Sequence, residues 1–219
     1  MDLNKSKSDD PLKRFVEKEK EFEEASPMNP PDAFSPSTVD PVAYKDMTPF
    51  LQKLMDEHKV FITVLDNFES ALINWKKNDW NFNDEINKKL NELFSFLDKN
   101  TPVHNRKEEK ELFPLLHKRL LESGEHSSSE EPKTAVDIME DEHIKVAQLG
   151  ALCLNFLGLG SRLEDSKSRE IVFELAFEQG KTIVETMRLH IYREDQTLFP
   201  LAMKLISKEK LKEMGTSST

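Results

Sequence analysis

The chain has 219 residues, a formal net charge of -10 and 37% hydrophobic residues, so one domain with an appendage is the natural division, and part of the length is too polar to enter a core. The acid excess excludes nucleic acid and anionic membrane surfaces as partners, since both need clustered Lys and Arg. The single cysteine, Cys153 in the apolar run AQLGALCLNFLGL, makes no internal disulfide and reads as a small buried hydrophobe. With a start as polar as MDLNKSKSDD and no apolar run near about 18 residues, the expected setting is soluble, reducing and cytoplasmic.

Residues 1–45 form a separate compositional zone. A charged stretch, KRFVEKEKEFEEA, leads into the Pro- and Ser-rich SPMNPPDAFSPSTVDP, which has no helical periodicity and predicts a disordered or extended tail. From Thr48-Pro49, a capping residue followed by proline at the first helical position, the pattern changes. Leu51, Leu54, His58, Phe61, Ile62, Leu65 and Leu72 recur on one face of a helix reaching about Lys77. After the polar loop NDWNFND, a second helix runs from about Asp84 to Leu121, with Thr101-Pro102 as a restart or kink inside it. The linker SGEHSSSEEPK precedes a third helix from about Thr134 to Leu159, ending at Gly160. The fourth runs from about Ser168 past Leu198, where Phe199-Pro200 bends or ends it. A short helix near Lys208–Met214 and a flexible 215–219 complete the chain. No segment alternates as a strand does, and four long helices with short or medium loops make an all-α four-helix bundle the default architecture of residues 46–214.

The sequence repeats itself once. Asp56-Glu57-His58 on the first helix matches Asp141-Glu142-His143 on the third. His104 and Glu108, followed by Leu112-Phe113-Pro114-Leu115, match His190 and Glu194, followed by Leu198-Phe199-Pro200-Leu201. His and Glu four apart share one helical stripe, one turn apart, and their stripe neighbours are apolar: Leu97 and Leu115, then Ile183, Met187 and Leu201. His58 lies among Leu51, Leu54, Ile62 and Leu65, and His143 among Val136, Met139, Val146, Ala147 and Leu154. Four imidazoles and two carboxylates thus point into one apolar core, where an unpaired carboxylate costs several kcal/mol. Metal is the simple compensation.

Two carboxylates against two divalent ions leave room for a bridging hydroxide or oxide, and a long carboxylate between two metals can bridge them. Imidazole-rich donors without thiolate suit iron, copper, zinc or nickel. Six ligands for two ions fit octahedral iron with open positions better than closed tetrahedral zinc. Glu57, Glu109, Glu142 and Asp195 lie about 100° off the ligand stripes and read as solvated groups or as supports behind the ligands.

The order His, His-x-x-x-Glu, His, His-x-x-x-Glu, with Phe-Pro following each paired histidine, resembles the hemerythrin-like, or HHE cation-binding, family over about residues 46–214. The resemblance implies an up-down-up-down antiparallel four-helix bundle with a non-haem di-iron centre that binds O2 or a related small molecule. Its ligands would be His58, His104, Glu108, His143, His190 and Glu194, with Glu108 and Glu194 bridging two iron ions. Two positions depart from the oxygen carriers of that family. Ala147 stands where they have a second histidine on the third helix, and Glu194 where they have an aspartate. Both departures point away from reversible oxygen transport. A side chain at 147 is expected to face the metals, so alanine there leaves space beside one iron.

Ferritin-like oxidases use Glu-x-x-His pairs. Glu140 and His143 form one, but Met187 stands three before His190, so Glu140 reads as a surface or supporting group, with an extra ligand as the alternative. His117 and His126 are expected to be solvated. The function expected is binding of, or reaction with, O2, peroxide or NO. Iron storage or supply, or redox or oxygen sensing without catalysis, is the alternative, and the protein partner that sensing would need is unknown.

Overall fold

The computed structural model describes residues 42–215. The expected tail therefore lies almost wholly outside the described residues, as do residues 216–219. Within the described part of that tail, Tyr44–Asp46 forms one 3-10 turn. Every regular element among the described residues is helical: α1 Pro49–Lys77, α2 Asp84–Lys99, α3 Thr101–Lys107, α4 Phe113–Ser123, α5 Ala135–Gly160, α6 Ser166–Arg193, α7 Phe199–Leu205 and α8 Lys208–Glu213. No helix among the described residues is long and apolar enough to cross a membrane.

Local chemistry sets the boundaries. Pro49 and Pro102 occupy first-turn positions, where a missing N–H costs nothing. The Asn83 side chain accepts the Ile86 N–H at the start of α2. Thr134 begins α5 with a reciprocal capping box, its hydroxyl accepting the Val136 N–H and the Asp137 carboxylate accepting the Thr134 N–H. The second helix of the sequence reading is not continuous. It stops at Lys99, restarts at Thr101, and widens into a π-helical turn over Glu108–Leu112. The fourth does the same over Glu194–Leu198. Each widening sits just before a Phe-Pro pair. Phe113 and Phe199 donate their N–H groups five residues back, to the Glu108 and Glu194 carbonyls, and Pro114 and Pro200 have no N–H with which to resume the four-residue ladder at once.

The widening resets the buried stripe. Leu112, Phe113, Leu116 and Leu120 are buried, and Leu115, expected on the core face, is half-buried. α1 packs on α2 and α6, and α5 packs on α2 and α6, so these helices enclose one core as a helical bundle. At Gly180 α6 comes close to α1, since a Cβ there would lie 2.6 Å from Leu72 Cδ1. One end is closed by an aromatic cluster in which Trp75 meets Trp80, Phe82 and Phe173. Trp80 and Phe82 belong to the loop read as polar, and Trp80 reaches its place from left-handed backbone, φ 61°.

Candidate metal centre

The buried positions on α1 run Leu51, Leu54, His58, Phe61 and Leu65, so His58 sits in the middle of a core stripe. His143 takes the equivalent place on α5 between Met139 and Val146. His104 on α3 and His190 on α6 each lie one turn before a glutamate that opens a π-helical turn. The four helical segments bring all six side chains together. His58 Nε2 lies 3.0 Å from His104 Nε2, and His143 Nε2 lies 3.2 Å from His190 Nε2. The two carboxylates lie between these pairs. Glu108 Oε1 is 3.2 Å from His104 Nε2, and its Oε2 is 3.5 Å from His143 Nε2. Glu194 Oε2 is 3.2 Å from His58 Nε2 and 3.4 Å from His190 Nε2. Two overlapping donor groups result, His58, His104, Glu108 and Glu194, and His143, His190 and Glu194. Phe199 stacks on His58 and Phe113 on His143, with centroids 5.7 and 6.0 Å apart, so the residues after each π-helical turn form apolar walls of the site.

Behind the six inward-facing side chains stands a second set of carboxylates. Each accepts from one imidazole Nδ1–H: Asp195 from His58 at 2.8 Å, Glu57 from His104 at 2.8 Å, Glu109 from His143 at 2.8 Å and Glu142 from His190 at 3.0 Å. Lys107 in turn pairs with Glu57, and Arg193 with Glu142. With Nδ1 donating outward, every Nε2 presents a lone pair to the interior. Four such nitrogens face two glutamates that are wholly buried and whose oxygens find no hydrogen-bond donor. With the imidazoles neutral, such a buried cluster is made only of acceptors, and its charge calls for metal cations or protons at the centre. The residues present fit a metal cation, and imidazole with carboxylate and no thiolate is a donor set that suits iron.

The remaining sequence candidates fall elsewhere. Glu140 is exposed and belongs to neither donor group; burial, then the nearby charges of Glu109 and Asp137, raise its carboxyl pKa. His117, expected to be solvated, is instead half-buried, its Nδ1 2.9 Å from the capping hydroxyl of Thr134. His126 is exposed and bonds only the Ser127 carbonyl. Ala147 corrects the facing argument. It is exposed, and the buried stripe of α5 passes through Val146 and Gly150, while Leu154 is also exposed. Position 147 thus does not look into the centre. The straight-helix projection put it there by starting from His143 alone.

Sequence reasoning missed Lys107 and Arg193. The signal was present: they occupy the same place in the internal repeat, in His-x-x-Lys-Glu-Glu and His-x-x-Arg-Glu-Asp. Burial of the pairs they hold makes them more than surface charges. Burial pushes the Glu57 carboxyl up, but hydrogen bonds from His104 and Lys107 overcome that and bring it down to about 2.

In the metal-free protein the interior charges must be balanced by protons. Burial lowers the His58 pKa, yet the hydrogen bond to Asp195 and the pull of Glu194 lift it to about 10. His104 is likewise lifted to about 9 by Glu108 and Glu57 against its burial. Burial raises the Glu194 pKa, but the attraction of His190 and His58 turns the net shift downward. Histidine pKa values raised above the unfolded 6.5 contribute stability that is fully present below that pH and is lost as pH rises through the folded values. The metal-free protein is therefore expected to melt at progressively lower temperature from about pH 7 to pH 10. Thermal melts in the presence of a chelator test this, and a melting temperature flat or rising over that window counts against protonated histidines in the core.

Among known proteins, the model of one family, described as the Hemerythrin HHE cation binding domain, matches residues 50–202. No curated protein and no solved structure matches.

Proposed function

The chain belongs to the hemerythrin HHE cation-binding family, and on that premise we propose that it is a non-haem di-iron protein that binds or reacts with O2, peroxide or NO at a centre of four histidines and two glutamates. The observation that carries this reading is the all-acceptor cluster: two facing imidazole pairs with two buried carboxylates between them that no donor reaches. His58 and His104 would hold one ion and His143 and His190 the other. Glu108 and Glu194, each near an imidazole of both pairs, would bridge them. Iron held there supplies reversible one-electron redox chemistry and coordination positions open to a small exogenous ligand. The protein's part is to keep the imidazoles in one tautomer through Glu57, Glu109, Glu142 and Asp195, and to wall the site with Phe113 and Phe199. The contacts of α1, α2, α5 and α6 around one core support an up-down-up-down antiparallel four-helix bundle as the frame.

Protein produced with iron supplied is expected to carry two irons per chain by metal analysis. Anaerobically reduced protein mixed with O2, H2O2 or NO is expected to change its visible spectrum. A reversible change with O2 marks a binding protein, whereas turnover of peroxide or NO marks an enzyme. One metal or fewer per chain, or zinc alone, overturns the di-iron reading.

A further inference from the structure

The carboxylates behind the ligands are arranged in an order that their sequence positions do not require. Each directly adjoins a metal-facing residue: Glu57 precedes His58, Glu109 follows Glu108, Glu142 precedes His143, and Asp195 follows Glu194. Adjacent residues on a helix point about 100° apart, so one side chain faces the centre and its neighbour faces sideways, toward the next helical segment. There it meets a histidine. Glu57 of α1 holds His104 of α3, Glu109 after α3 holds His143 of α5, Glu142 of α5 holds His190 of α6, and Asp195 after α6 holds His58 of α1. The chain of dependence closes on itself.

We propose that Glu57, Glu109, Glu142 and Asp195 form a closed ring of positioning residues in which each helical segment aims the histidine of the next, and that Lys107 and Arg193 are clamps that hold one member of the ring for each metal position. This rests on the metal-binding reading above. Lys107 fixes Glu57, which serves the His58–His104 pair. Arg193 fixes Glu142, which serves the His143–His190 pair. Glu142 and Arg193 are mostly buried, with side chains 15% and 11% exposed, so their pairing is little screened by solvent. Among the described residues Glu109 and Asp195 pair with no lysine or arginine, so the two clamps are what stiffen the ring. A ligand imidazole fixed through Nδ1 in this way binds its metal more tightly, because tautomer and ring orientation are set beforehand.

The test uses Co(II), which reports its coordination by absorbance, in competition with a chromophoric chelator on the full chain. Wild type is expected to take two equivalents. Arg193→Met and Lys107→Met are each expected to weaken one equivalent by about tenfold or more and to leave the other within about threefold, and the double variant to weaken both. Arg193→Lys, which keeps the charge, is expected to recover most of the loss, which separates positioning from damage to the fold. Nitrogen-15 spectra of the histidines give a readout independent of affinity. Four hydrogen-bonded Nδ1–H signals are expected, and Glu142→Ala should remove or move one of them only. Clamp variants binding both equivalents as wild type does, or protonation at Nε2 instead of Nδ1, would overturn the ring. A wild type that takes up no Co(II) overturns the metal-binding reading instead, and the Nδ1–H signals of the metal-free protein then still decide whether the ring exists.

Discussion

Glu194→Ala is expected to empty both metal positions, the largest effect of any single substitution at the centre. Glu194 is the one residue common to the two donor groups, and its Oε2 lies within 3.4 Å of an imidazole from each pair. Its removal leaves one interior carboxylate, Glu108, against two divalent ions. Loss of a group behind a ligand costs about 10–100-fold in metal affinity, and loss of a shared ligand exceeds that at both positions. Glu108→Ala removes the other proposed bridge and is expected to weaken both positions but to empty the His58–His104 position first, since His143, His190 and Glu194 still form a donor group without it. Glu109→Ala removes only the acceptor behind His143 and is expected to keep two ions bound more weakly. Metal content after gel filtration checks the series, with about two ions expected in Glu109→Ala, about one in Glu108→Ala and well under one in Glu194→Ala. Two irons retained by Glu194→Ala and lost by Glu109→Ala would mean that the wrong carboxylates have been placed at the centre.

The inward set of six was legible because burial of a polar side chain at helical spacing is itself a signal. His58 between Leu54 and Phe61, or His190 one turn before Glu194, are hard to explain except by a partner inside. The internal repeat made the signal double. The sideways residues were harder to read. Single-helix geometry shows that Glu57 points away from the His58 stripe, but not that the neighbouring segment puts His104 there, because that depends on packing between elements. Ala147 failed for a related reason: a stripe drawn along a straight helix drifts, and the face that α5 turns inward carries buried Val146 and Gly150, the latter close to Leu97 of α2. The π-helical turns escaped too. Leu-Phe-Pro announces a disturbed ladder, yet whether it kinks, ends or widens the helix depends on what the carbonyls released by proline find. Here the chain simply continues after one wide turn, which brings Phe113 and Phe199 over the histidines.

Removing the metal is expected to lower the melting temperature by more than about 10 °C, and a Glu108→Met/Glu194→Met double variant is expected to recover part of that loss without binding metal. The first effect is mass action: an ion present at about a thousand times its dissociation constant stabilises the folded state by about 4 kcal/mol, and a chain of this size shifts by about 2–4 °C per kcal/mol. The second follows from what the metal-free core must contain. Glu108 and Glu194 are wholly buried, and the raised pKa values of His58 and His104 favour protons on the imidazoles that face them. Replacing buried ionic groups with apolar ones of similar size is often neutral or stabilising by about 1–4 kcal/mol. Methionine is flexible enough to fill the space of a glutamate, and the histidines can then stay neutral with Nδ1–H still held by the ring. The metal-free double variant is therefore expected to melt about 3–10 °C above metal-free wild type, and to gain nothing when iron is added. That combination is the mark of residues kept for a ligand at the expense of the empty fold. Thermal melts of both proteins, with chelator and with iron, decide it. A metal-free double variant melting well below metal-free wild type would show that glutamates and histidines satisfy one another through protons alone, and the cluster would then be a structural ion-pair network instead of a site built around metal.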